Sequence, residues 1–200
     1  MNEYIYLVIA SSFLFLILRW FIILKRKRFI KNYLFPSSVI KKTKEKYPHL
    51  NDVEIDMISK ALKDYFYITH VVGKLYISMP SKIVSDFWHE FSFSNENYEK
   101  FCKKAFGKEI QWIEAEGIEG KGIQRIWENV CVLENIDPLI PEKVPRLFRL
   151  DRLLKVKNGF WYTHDCRKLN KEKNEYCVTK IMNSKKYENA HGVLAIGYQI

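Results

Sequence analysis

The sequence predicts a mainly α chain of α+β type: an N-terminal transmembrane helix, a helical domain, and a small C-terminal antiparallel β element. Three observations predict it. Residues 4–24 are almost uninterruptedly apolar, residues 51–156 carry apolar side chains at helical spacing, and beyond Gly159 the pattern changes to short aromatic and β-branched runs. With 200 residues, 48% hydrophobic and 15% aromatic, the chain has enough apolar material for one substantial core and an appendage.

The appendage comes first. Tyr4 to Leu24, "YIYLVIASSFLFLILRWFIIL", is long enough as a helix to cross a hydrocarbon layer of about 30 Å. Arg19 alone interrupts it, about a turn and a half from Lys25, so its guanidinium reaches the interface along its own stem, at a depth that also suits Trp20. A cleavable signal peptide would begin with positive charge and end at small residues, whereas this run follows "MNE" and leads into "KRKR". The expected element is a retained anchor. Lys25, Arg26, Lys27, Arg28 and Lys31 follow it, and positive charge beside a span stays cytoplasmic, so the N-terminus is expected outside and the body in the cytoplasm.

The formal net charge is +10, and residues 1–35, with six Lys or Arg against one Glu, hold half of it. That placement suits the anionic lipid headgroups of a bilayer. Nucleic acid is the other partner that a basic, aromatic-rich chain suggests, but no recognisable DNA- or RNA-binding motif supports it. The expected organisation is an anchor with its basic flank over 1–28, a juxtamembrane collar and linker over 29–50 with a hinge at "FPSS", and a cytoplasmic domain over 51–200.

Asn51 or Asp52 caps the first body helix, where Ile55, Ile58, Leu62, Tyr65 and Phe66 recur at helical spacing. A second helix starts near Ser78 to Ser81 with Pro80 in its first turn, and Ile83, Val84, Phe87, Trp88 and Phe91 make its apolar face. His89 lies opposite that face, beside Ser85 and Asp86. Asn95 caps a third helix, with Tyr98, Phe101, Cys102, Ala105 and Phe106 buried and Gly107 as its stop. The linker "GIEGKG" leads to "IQRIWENVCVLEN", and a loop stiffened by Pro138, Pro141 and Pro145 delivers a short helix, "RLFRLDRLLKV". "GFWYTHD", "EYCVTKIM" and "GVLAIGYQI" are the expected strands.

No Gly-rich phosphate loop, GxSxG elbow or HExxH is present. The candidate catalytic residues are His89, Glu134 and Asp151. Glu134 continues an apolar stripe in the last turn of its helix, and Asp151 sits between Leu147 and Leu154 on an apolar face. A buried carboxylate needs a cation or hydrogen-bond donors, so each is either a polar clamp between helices or, with His89, a member of a metal or acid–base site. His164, Cys166, Cys177 and His191 form a second candidate, a closed zinc site, although the cysteines lack CxxC spacing. Apart from zinc no cofactor is expected, and a cytoplasmic body implies that all four cysteines, Cys102 and Cys131 included, are reduced thiols.

The segments "MPSKIVSDFWHEFSFSNENYEKFCKKAFG", "IWENVCVLENIDPLIPEKVPRLFRLDRLL" and "NGFWYTHDC" resemble the bacterial relatives of the plant glycine-rich-domain-containing proteins, over roughly residues 55–166. The resemblance rests on the order of Trp88, His89, Tyr98, Phe101, Cys102, Phe106, Gly107, Trp127, Cys131, Glu134, Asp137, Pro138, Pro141, Pro145, Leu147, Phe148, Leu150, Asp151, Asp165 and Cys166. It implies a domain of unassigned biochemical activity. Members often carry an acidic residue at Ser85 and a His-rich stretch at "KEIQW"; their loss here weakens a metal site around His89. The expected function is a membrane-anchored interaction or scaffolding module at the cytoplasmic face, with a metal-dependent enzyme or zinc-stabilised domain as its rival.

Overall fold

A computed structural model describes residues 2–73, 78–117, 122–164, 166–169 and 175–182. The expected final strand "GVLAIGYQI" and His191 lie outside them. The chain opens with α1 (Asn2–Lys31), whose exposed apolar side chains over residues 4–24 make it long and apolar enough to cross a membrane by length and composition. The helix does not end where its apolar run ends. It continues through the basic residues until Ile30 is fully buried, and Phe29 and Tyr33 pack ring to ring with Phe101.

Residues 29–50 therefore do not form a hinged collar. After Phe35 the short helix α2 (Ser37–Lys46) lies across α4 (Lys82–Ser92), and Ile30, Phe35, Val39, Tyr47 and Leu50 join the core. Each such side chain is worth about 1.5–3 kcal/mol when taken fully from water, far more than a lone Pro-Ser-Ser turn can oppose.

At the centre lies α3 (Asp52–Val72), packed against α1, α4, α6 (Ile123–Leu133) and α7 (Arg146–Leu153). Its start is a capping box. The Asn51 side chain accepts the Glu54 N–H at 3.0 Å, and the Glu54 carboxylate accepts the Asn51 N–H at 2.8 Å, so two orphan donors of the first turn are satisfied. Ser81 caps α4 by accepting the Val84 N–H, which leaves Pro80 just outside the helix rather than in its first turn. α5 (Asn95–Ala105) starts one residue earlier than expected, with Ser94 in the cap position. Its C-terminus closes on Gly107, whose φ of +78° a side-chain-bearing residue rarely adopts and whose N–H reaches back to the Cys102 and Lys103 carbonyls.

Beyond α7, β1 (Trp161–Thr163) and β2 (Glu175–Cys177) pair in parallel, in the register Trp161–Glu175, Tyr162–Tyr176 and Thr163–Cys177. The expected antiparallel hairpin is not what forms. Eleven residues separate the strands, too many for a tight turn and about enough for a crossover. The second run also changes state midway, because α8 (Val178–Met182) follows β2 directly and buries Val178 and Ile181.

Candidate functional site

Asp151 is fully buried on α7, and its carboxylate faces the N-terminus of α4. Oδ1 accepts the Ser81 hydroxyl at 2.7 Å and the Ile83 N–H at 3.1 Å; Oδ2 accepts the Lys82 N–H at 2.7 Å and the Phe160 N–H at 2.8 Å. Four donors thus converge on one anion, where the positive end of a helix dipole also favours it. Burial holds the carboxyl above the usual carboxylate range against the pull of those donors. Gly159 leaves room for the arrangement: a Cβ there would lie 2.7 Å from the Asp151 Cβ.

Glu134 has a similar role a little earlier in the chain. It follows α6, and its Oε1 accepts the Arg146 N–H at 2.6 Å, which caps the start of α7. Each carboxylate thereby ties the end of one helix to the beginning of another: Glu134 links α6 to α7, and Asp151 links α7 to α4. Beside this junction, Asp64 on α3 lies 3.8 Å from the Arg146 guanidinium. Burial is the larger influence there and pushes the Asp64 carboxyl up to about 6, with Glu134 adding to the rise and Arg146 opposing it.

His89 belongs to neither arrangement. Its ring is half-exposed between Phe93 and Trp112, 4.6 Å from each centroid, while Trp112 donates to the Ser85 carbonyl at 3.0 Å. His89, Glu134 and Asp151 therefore have separate partners. Among the described residues no three His, Cys, Asp or Glu side chains gather where a metal ion could be held. Neighbouring Asp86, which the sequence placed only beside His89, binds the Tyr47 hydroxyl together with Lys82 at 3.0 Å and Lys46 at 3.2 Å, linking α2 to α4. Burial alone would raise its carboxyl, yet the Tyr47 hydroxyl and the two ammonium groups hold it below the usual range.

The basic flank divides between two faces of α1. Arg26 donates to the Phe106 carbonyl at 3.2 Å, across the C-terminus of α5, and Lys27 and Lys31 stand 5.5 Å and 4.8 Å from the Tyr67 ring centre. Lys25 and Arg28 point the other way and are exposed. Within the apolar run, Arg19 folds back toward Phe15 at 5.9 Å, away from Lys25 rather than toward it as expected, and Trp20 packs edge-on with Phe21; Tyr4 to Leu24 otherwise presents an exposed, mostly apolar cylinder.

A family model, UCP032817-like, matches residues 25–181, from the first residue of the basic flank to the last turn of α8. The chain belongs to the UCP032817-like family. No curated protein and no solved structure matches it. The UCP032817-like match contains residues 29–50, in keeping with their place in the core. Nothing in it links the chain to the glycine-rich-domain-containing proteins.

The cysteines of this UCP032817-like chain fall into two kinds. Cys102 and Cys131 are free, buried thiols; burial raises both, Cys131 to about 12, which makes them small core hydrophobes without reactivity. Cys166 and Cys177 are joined in a disulfide, with Cα atoms 5.2 Å apart. Two expectations change with it: the fold brings this pair together, so in this structure it stands bonded rather than as two reduced thiols, and sulfurs bound to each other cannot serve as thiolate ligands for zinc. The parallel register explains why. It sets Cys177 opposite Thr163, so the 3-10 turn Cys166–Lys168 carries Cys166 to its partner despite the ten intervening residues. His164 is exposed.

Sequence reasoning did not find the Asp64 and Asp86 junctions. Asp86 and Lys82 are spaced i, i+4, a signal that could have been read, whereas the Tyr47 and Arg146 partners lie on other elements and leave no local trace.

Proposed function

We propose that this chain is a membrane-anchored interaction or scaffolding module whose helical body stands rigidly on the cytoplasmic face of a bilayer. One observation carries the reading: α1 runs without a break from an exposed apolar cylinder into the core, where Ile30, Phe29 and Tyr33 are packed. A body joined this way cannot swing freely on its anchor, because reorienting it would expose Ile30 and separate the ring contacts. The acidic residues that suggested catalysis serve as helix caps: Asp151 is fully buried with both oxygens taken by four donors, and Glu134 Oε1 accepts the first N–H of α7. Positive charge at Lys25 to Arg28 supports the cytoplasmic orientation. The Cys166–Cys177 disulfide pulls the other way, since such bonds persist in oxidising compartments.

The test replaces Cys166 and Cys177 with serine, so that neither can be labelled, places a cysteine at exposed Lys157 and treats intact cells with a membrane-impermeant maleimide. Buried Cys102 and Cys131 give no background in the folded chain. Labelling only after lysis is the expected result, and labelling of intact cells would reverse the orientation.

A further inference from the structure

Lys25, Arg28, Phe29 and Asn32 follow the i, i+3, i+4, i+7 spacing of one helical face, turned away from buried Ile30. With Tyr33 and Leu34 they line an open groove of about 490 Å³. Its two sides differ in chemistry. Lys25, Arg28 and Asn32 supply donors, whereas Phe29, Tyr33 and the 85% exposed Leu34 supply an apolar wall. The neighbouring cations Arg26, Lys27 and Lys31 are engaged with the body at Phe106 and Tyr67. Among the described residues, no carboxylate lies within ion-pair distance of Lys25 or Arg28.

We propose that this groove binds one anionic glycerophospholipid from the surrounding leaflet, its headgroup phosphate on Lys25 and Arg28 and the start of an acyl chain running back along Phe21, which continues the same helical face one turn earlier and is 58% exposed. The proposal rests on the membrane reading above and adds a defined site to it. Depth argues for a lipid. Lys25 directly follows the last apolar residue of the span, and the rise from Lys25 to Asn32 is about 10 Å, comparable to the headgroup layer of one leaflet. Charge argues for the phosphate, because a guanidinium offers paired donors to its oxygens and an ammonium one turn away adds a point charge. The apolar surface beneath the cations argues against a soluble anion. Phe21 and Leu24 are exposed one turn before Lys25 and Arg28, so a phosphate held there has hydrocarbon on one side, as the phosphate of a membrane lipid does and a fully hydrated phosphate does not.

The experiment reconstitutes the full chain in phosphatidylcholine bilayers with spin-labelled phosphatidylglycerol or spin-labelled phosphatidylcholine and compares the motionally restricted fraction of each. The expected result is a preference of about fivefold or more for the anionic lipid. It should fall to about one in Lys25→Gln/Arg28→Gln and persist in Lys143→Gln/Lys157→Gln, which removes the same charge from exposed sites elsewhere. Both pairs are exposed, so folding is not at stake, and circular dichroism verifies this. Equal loss in the two double variants, or no preference in the wild type, would overturn the site while restricted phosphatidylcholine still reports an embedded span. Absence of any restricted lipid would instead remove the membrane reading beneath it. Displacement of the anionic lipid by millimolar glycerol phosphate would overturn the lipid assignment in favour of a soluble phosphate.

Discussion

Asp151 Oδ1 accepts the Ser81 hydroxyl at 2.7 Å across 70 residues of chain, and that bond joins two helices that share no turn or loop. With the Lys82, Ile83 and Phe160 N–H groups it makes Asp151 the N-terminal anchor of α4. Asp151→Asn keeps the shape but turns an amide NH₂ toward backbone donors. It should cost about 2–4 kcal/mol of folding stability, the scale of unmade buried hydrogen bonds around a former charge. Denaturant unfolding of the full chain in detergent micelles checks this; an unchanged midpoint would contradict the capping role.

Asp64 predicts a pH dependence. Its folded pKa, raised to about 6 by burial first and Glu134 second, exceeds the ordinary 3.8, while Arg146, Lys31 and Lys63 hold it down. The folded state therefore binds the proton more tightly than the unfolded one, so this contribution to stability is complete below about pH 4 and lost as the pH rises through 6. Asp64→Asn should be about 1–3 kcal/mol more stable than wild type at pH 7, after allowing for partial solvent screening, and should lose that advantage near pH 4. Unfolding curves of both proteins across pH 4–8 test the sign.

Phe101 joins α1 to the body. Its ring lies 5.7 Å from Phe29 and 4.6 Å from Tyr33 on the α1 side, and 5.0 Å from Phe66 and 5.3 Å from Phe91 on the other. Phe101→Ala should cost about 3–5 kcal/mol and expose the segment after α1 to protease. Limited proteolysis that cuts wild type and variant equally would show that the helix and the body are not mechanically joined.

The cysteine pair reports the compartment. With the body in the cytoplasm, Cys166 and Cys177 should be trapped as two thiols when cells are quenched in acid, then close to the disulfide on purification in air. Gel-shift alkylation distinguishes the states. A disulfide trapped directly from cells would contradict the orientation.

Most of the helices were legible because each buries one face: Ile83, Val84, Phe87, Trp88 and Phe91 repeat at helical spacing, and all are buried. The buried residues of 29–50 show that period only faintly, because Val39, Thr43 and Tyr47 stand four apart but one of them is polar and the residues between are mostly lysines. Ile30, Phe35 and Val39 are spread over the end of α1, a turn at Pro36 and the start of α2, among lysines and arginines, so composition resembled a collar. Strand direction was not legible either, because the same aromatic runs serve parallel and antiparallel pairs and only the path between them decides. Asp151 was half legible. Its apolar neighbours said that it needed partners, but partners 68 to 70 residues away leave no mark on local sequence.

The most direct measurement is extraction of membranes from cells expressing the full chain with alkaline carbonate. Retention in the pellet, with release by detergent alone, is what a bilayer-spanning α1 continuous with the body predicts. Appearance of the intact chain in the carbonate supernatant would contradict it.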